Sequence, residues 1–295
     1  MSSLPTRSTR ASAEPVVSLP KFTPDSISSK GSSLPNRYVL HGLEGWGKTS
    51  FGAQFPKPIF IQSRGETGLE TLIDAAQLPE TPHFPECATW DELLGAIDYL
   101  TNAQHDFGTL VIDTVNGAER LCHEHVCARD FQNDWTDRGF LSYNKGYEVS
   151  LSDIRGFLAS LDALRAAKRM TIFMLCHTKV KNFKNPDGPD YDRYQPDMHE
   201  KTWGLIHKWA DVVLFGAFSA TVVGQRGKEE TDVSKRGKGT GGTSRILYTS
   251  RRAAWDAKNR LGLPEEIDMG SSPREAMLAF REEIKGARER GKVVA

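Results

Sequence analysis

Apolar residues fall along this chain in two rhythms. Short, nearly continuous runs at Tyr38–His41, Pro58–Gln62, Thr109–Ile112, Thr171–Cys176 and Asp211–Phe218 read as strands buried on both faces. Between them Trp90–Thr101, Asn116–Arg129, Tyr147–Lys168 and His199–Trp209 repeat their apolar residues at helical spacing. The Tyr147–Lys168 stretch is the clearest, with Val149, Leu151, Ile154, Phe157, Leu158, Leu161 and Leu164 on one stripe. Strands alternating with amphipathic helices predict an α/β fold, a mainly parallel sheet with helices on both faces.

The ends of the chain follow other patterns. Residues 1–36 are rich in Ser and Pro and lack a sustained apolar period, so a disordered N-terminal arm is expected there. Ala220–Gln225 and Arg245–Thr249 are strand-like and flank a Gly/Lys-rich stretch from Gly227 to Gly242, which predicts a C-terminal β-hairpin extension with a long tip. Arg274–Arg290 predicts a final helix. The division expected is therefore an arm at 1–36, one catalytic-type domain at 37–268 and a helical tail at 269–295.

Composition narrows the classes. A chain of 295 residues with 38% hydrophobic content can build a substantial core, and no run approaches a membrane span. Four cysteines in this length suit a reducing cytoplasm. Cys122, His123, His125 and Cys127 match no common zinc spacing, and a helix would point them in different directions. The net charge of zero hides an asymmetry: Ile61–Asp137 holds 15 acidic and 3 basic residues, while Gly224–Arg260 holds 10 basic and 4 acidic. Such a dipole can orient a protein on a polyanion or drive head-to-tail association, or it can be a set of solvated faces.

The candidate chemistry centres on Gly42-Leu43-Glu44-Gly45-Trp46-Gly47-Lys48-Thr49, which completes G-x-x-x-x-G-K-[ST]. A strand precedes it and Ser50–Gln54 can open a helix, so backbone amides and the helix dipole converge on an anion. Gly42, Leu43, Glu44, Gly45, Trp46, Gly47, Lys48, Thr49 and Ser50 are expected to hold a nucleoside triphosphate. Lys48 would reach its β- and γ-phosphates and Thr49 would ligate Mg²⁺. Asp113, at the tip of the apolar strand Thr109–Ile112, is the expected partner of that Mg²⁺. Thr114 follows it, so the glutamate that serves AAA+ proteins as general base is not at that position. Another carboxylate must orient the attacking water: Glu66, just past the second strand, or Glu44 within the loop. His177, ending the fourth strand, is placed to sense the γ-phosphate. Lys258 and Arg260 form a Lys-x-Arg pair on one side of an extended segment. They suit either insertion into a neighbouring subunit's site or a surface cation pair.

With these motifs in hand, the chain resembles the phage-encoded RecA-like P-loop ATPases of the single-strand annealing and recombination type, over roughly Arg37–Ile267. The most specific elements are His41–Phe51 running into Pro56–Ile61, then Val111-Ile112-Asp113-Thr114, Cys176-His177-Thr178 and Trp255–Arg260. The resemblance implies a RecA-like core of strand order 5-1-4-3-2, ATP and Mg²⁺ at the loop, and a homo-oligomer, ring or filament, in which a neighbour completes the site. It further implies single-stranded DNA and a phage or host single-strand binding protein as partners, in the bacterial cytoplasm and away from membranes. The chain departs from the group where Gln62-Ser63-Arg64-Gly65-Glu66 replaces a shorter acidic element.

In RecA-like proteins the loops after the Asp-bearing and sensor strands face DNA. Here Lys179, Lys181, Phe183, Lys184 and Arg193 interleave cations with rings, as single strands require, although Asp187, Asp190 and Asp192 lie among them. The Lys228, Lys235, Arg236 and Lys238 tip is a second candidate. A nucleotide-dependent switch without DNA and a P-loop kinase stay open as other readings. Against the kinase stand the absence of an Arg-rich lid just after the third strand and the late Lys258-Asn259-Arg260, and the missing Asn-Lys-x-Asp element favours ATP over GTP.

Overall fold

The structure, a computed structural model, describes residues 26, 27, 31, 33–223 and 238–293. Residues 1–33 and 34–295 are separate units, and the architecture below belongs to the second. Its strands are β1 (Arg37–Gly42), β2 (Pro58–Gln62), β3 (Thr109–Asp113), β4 (Thr171–Phe183), β5 (Tyr191–Pro196), β6 (Val212–Val223), β7 (Lys238–Tyr248), β8 (Lys258–Asn259) and β9 (Glu266–Asp268). Its helices are α1 (Lys48–Gly52), α2 (Gly68–Asp74), α3 (Trp90–Asn102), α4 (Val115–Phe131), α5 (Lys145–Lys168), α6 (Glu200–Trp209) and α7 (Pro273–Val293).

The central strands are buried on both sides because alternate residues feed two separate cores. Val39, Ile59, Ile61, Leu110, Ile112, Ile172 and Met174 pack under α3, α4, α5 and α6. Tyr38, Leu40, Phe60, Val111, Phe173 and Leu175 face the other way, onto Phe51 of α1, Leu69 of α2 and Phe280 of α7. Helices thus cover both faces, as the apolar rhythm predicts. The five parallel strands run β6-β1-β4-β3-β2, the order expected of a RecA-like core. The sheet then continues past β6 with antiparallel β7 and β9.

Two strands are longer than their apolar runs. β4 continues beyond Cys176 to Phe183 and pairs antiparallel with β5, so Lys179–Phe183 is an arm of a hairpin and not a loop. Its Thr178-Lys179-Val180-Lys181-Asn182-Phe183 alternation is strand periodicity carried on into solvent. β6 likewise runs unbroken from Val212 to Val223, with an irregularity between Phe218 and Ala220, and merges two segments that the sequence separates. It forms the expected hairpin with β7. Lys228, Lys235 and Arg236 of the tip, and nearly all of the 1–36 arm, lie outside the described residues. No described helix is long and apolar enough to cross a membrane.

Candidate nucleotide-binding site

β1 ends in Gly42, and the chain then turns through Gly45 (φ 71°) and Gly47 (φ 96°), left-handed positions that favour glycine, into α1. The first turn of α1 leaves the amides of Lys48, Thr49 and Ser50 without helical partners and aimed at one place. Lys48 folds back along the loop, its ammonium donating to the carbonyls of Gly42 at 3.0 Å and Leu43 at 3.3 Å. Burial holds its pKa below the ordinary lysine value despite the opposing charge of Asp113. Glu44 is exposed on the loop.

β3 carries Asp113 to the same end of the sheet. The Thr49 hydroxyl donates to Asp113 Oδ2 at 2.8 Å, so the two residues expected to serve a metal meet directly. Burial pushes the Asp113 carboxyl up to about 6, and the Thr49 hydrogen bond offsets part of that. Glu66 follows β2 after the left-handed Gly65 (φ 89°) and arrives beside them. Its Oε1 accepts from the Thr114 hydroxyl at 2.9 Å and from His177 Nε2 at 3.1 Å. Burial pushes the Glu66 carboxyl up, but the His177 and Thr114 bonds outweigh it and leave the group below the usual range. His177 is raised, first by its bond to Glu66. Its backbone amide donates to Asn116 Oδ1 at 3.0 Å.

Trp46 occupies a variable position of the loop yet is 1% exposed. Its indole N–H donates to the carbonyls of Ala217 at 3.1 Å and Ile246 at 3.2 Å, one on β6 and one on β7. The ring lies flat on Gly216, where a Cβ would stand 2.7 Å from it. Arg245 of β7 donates to the Trp46 carbonyl at 2.8 Å and to Ser271 O at 3.1 Å. The hairpin therefore braces the phosphate loop. The motif leaves Trp46 unspecified, and only a large apolar side chain within a glycine-rich loop signals this role.

The other candidates lie apart from this pocket. Lys258 pairs in β8 with Val213, and its ammonium caps the carboxyl end of α6 through the carbonyls of His207 (2.6 Å), Lys208 (3.2 Å) and Ala210 (2.6 Å). Arg260, 53% exposed, stands 3.7 Å from Asp211 near the start of β6, the strand end away from the loop. Neither reaches its own chain's phosphate loop. On the β4–β5 hairpin, Lys179 pairs with Asp197 at 3.0 Å, Lys181 with Glu200 at 3.4 Å and Lys184 with Asp190 at 2.5 Å. These lysines and Phe183 line a groove of about 420 Å³. Arg193 differs from the expectation: it is 4% exposed and bound to Asp256 at 3.1 Å. It shares a face of the hairpin with Lys181, its register partner, but Phe183 and the Trp255–Asp256 segment cover it, so it packs the hairpin and does not meet solvent. Cys122 and Cys127 are buried in the core.

Among solved structures the chain is similar to the RadB recombinase, at 12% identity over 81% of this chain and 89% of that one, with a TM-score of 0.42. No curated protein sequence matches it. A family model described as an AAA domain matches residues 34–261. That span holds the phosphate loop, Asp113 and every parallel strand. The chain belongs to this AAA-domain family.

Proposed function

We propose that the protein binds ATP with Mg²⁺, hydrolyses it, and acts as a RecA-like oligomer on single-stranded DNA. The observation that carries the nucleotide reading is the 2.8 Å contact between Thr49 of the phosphate loop and Asp113 at the tip of β3. The residues fit a divalent cation: a hydroxyl and a carboxylate are hard oxygen donors, and the cation's charge would offset the burial that pushes Asp113 up. When bound, Mg²⁺ neutralises phosphate charge. Lys48 would exchange its carbonyl partners for the terminal phosphates. Glu66, ionised at neutral pH, would take a proton from the attacking water, a task for which exposed Glu44 has no comparable support. His177 would report the γ-phosphate through its bond to Glu66.

The DNA reading is supported by the Lys179, Lys181, Phe183 and Lys184 groove and by the resemblance in motifs. The same resemblance supports annealing or homologous recombination of phage DNA in a bacterial host cytoplasm, alongside a phage or host single-strand binding protein. Arg260, and Lys258 if released from α6, would complete a neighbour's site. A second reading, a nucleotide-dependent switch that binds no DNA, is favoured by the carboxylate paired with each groove lysine. Fluorescence anisotropy of labelled single-stranded DNA, with and without ATP across a salt series, separates them. Salt-sensitive binding strengthened by ATP is expected, and its absence at micromolar protein would leave the switch.

A further inference from the structure

We propose that Thr114 is the positioning residue for Glu66, deciding which carboxylate oxygen faces the attacking water; this rests on Glu66 being the water-activating group. Three neighbouring strands deliver the parts: Glu66 follows β2, Thr114 follows β3, and His177 lies on β4. Thr114 caps α4, and its hydroxyl oxygen accepts from the Gly117 amide at 3.2 Å. That leaves its single proton for Glu66 Oε1, 2.9 Å away. His177 donates to the same oxygen at 3.1 Å. Among the described residues nothing donates to Oε2, which is the oxygen left for water.

Thr114 cannot move to follow the carboxylate. It is 1% exposed. Ser63 clamps its backbone at both ends, donating to Thr114 O and accepting from Thr114 N, each at 3.2 Å. The Ser63 amide also donates to Asp113 O at 2.9 Å. On the other side, Gln62 holds the Glu66 carbonyl at 2.7 Å. The two strand tips are thus fixed to one another, and the hydroxyl becomes a fixed reference to which the flexible Glu66 side chain must come. A threonine in the place of the AAA+ glutamate keeps a part in the chemistry, by aiming a carboxylate supplied from the next strand.

The test compares Thr114→Val, which keeps the shape and loses the hydroxyl, with Thr114→Ser, which keeps it. Thr114→Val is expected to lower the kcat of ATP hydrolysis by up to about 100-fold, with KM and the affinity for a fluorescent ATP analogue unchanged. Thr114→Ser is expected to recover most of the loss, which a purely steric role would not predict. In Glu66→Gln protein, adding Thr114→Val should cause no further loss. In nucleotide-free protein with ¹³C-labelled glutamate, the Glu66 carboxylate resonance should move in the Val variant and return in the Ser variant. Wild-type kcat in Thr114→Val, equal losses in both variants, independent losses in the double variant, or an unmoved resonance would each overturn the proposal. Wild-type turnover in Glu66→Gln alone would instead remove Glu66 from the mechanism.

Discussion

Thr178 donates its hydroxyl proton to Nδ1 of His41, 3.0 Å away, inside the protein. The direction follows from the other ring nitrogen, which lies 2.8 Å from the carbonyl of Asp256 and must therefore carry the hydrogen. His41 is the residue before Gly42, Thr178 stands at the base of the β4–β5 hairpin, and Asp256 also receives Arg193 and Trp203. One neutral imidazole thus fastens the phosphate-loop strand to the hairpin.

Burial lowers the His41 pKa to about 4. The unfolded chain takes up this proton nearer pH 6.5, so the neutral native ring contributes stability that is lost as pH falls between those values. His41→Gln should be less stable at neutral pH by about 1–3 kcal/mol through lost buried hydrogen bonds. It should also lose less stability than wild type between pH 6.5 and 4. Urea denaturation across pH checks both, and parallel pH profiles would contradict the assignment.

Glu119 should behave with the opposite sign. It is buried in α4, accepts from the His199 amide at 3.1 Å, and is pushed by burial up to about 7. Above that pH the fold carries an ionised buried carboxylate, so stability falls as pH rises from about 4.5 through 7. Glu119→Gln should flatten this slope. A slope unchanged in the Gln variant would place the titration elsewhere.

Trp46→Phe keeps a ring over Gly216 but removes the indole N–H that donates to the Ala217 and Ile246 carbonyls. A loss of about 1–3 kcal/mol in stability is expected, with weaker nucleotide binding because the loop is less firmly braced. Gly216→Ala should be worse, since its Cβ would stand 2.7 Å from the indole. Calorimetric melting with nucleotide titration reads both, and wild-type values for Gly216→Ala would refute the bracing role.

Much of this arrangement is legible in the sequence, and what escapes it has a common cause. The five parallel strands appear as apolar runs because burial on both faces leaves no polar alternation. Lys48, Thr49 and Asp113 are legible because phosphate chemistry fixes their spacing and strand-tip positions. Trp46, Arg245 and Thr114 act through partners far away in sequence, which no local pattern encodes. Lys258 and Arg193 carry charges that read as surface cations, yet the fold engages both, half-buried Lys258 on the carbonyls of α6 and buried Arg193 on Asp256. The helix Gly68–Asp74 was also hidden, being only 7 residues long with a single buried side chain, Leu69.

The different environments of Lys258 and Arg260 predict different losses. Lys258→Ala strips a cation from the carboxyl end of α6 and should destabilise the fold by up to about 2 kcal/mol. Arg260→Ala, at a half-exposed position, should leave stability and ATP binding intact while removing DNA-stimulated hydrolysis. Unchanged stimulated turnover in the Arg260 variant would sink its assignment to a neighbour's site.

Titration of a fluorescent ATP analogue with Mg²⁺ into wild type and Lys48→Ala tests the nucleotide site itself. Saturable binding by wild type, lost in a Lys48→Ala protein that melts as wild type does, is the predicted result. Equal binding by both proteins, or none by either, would contradict a triphosphate held on Gly42–Thr49.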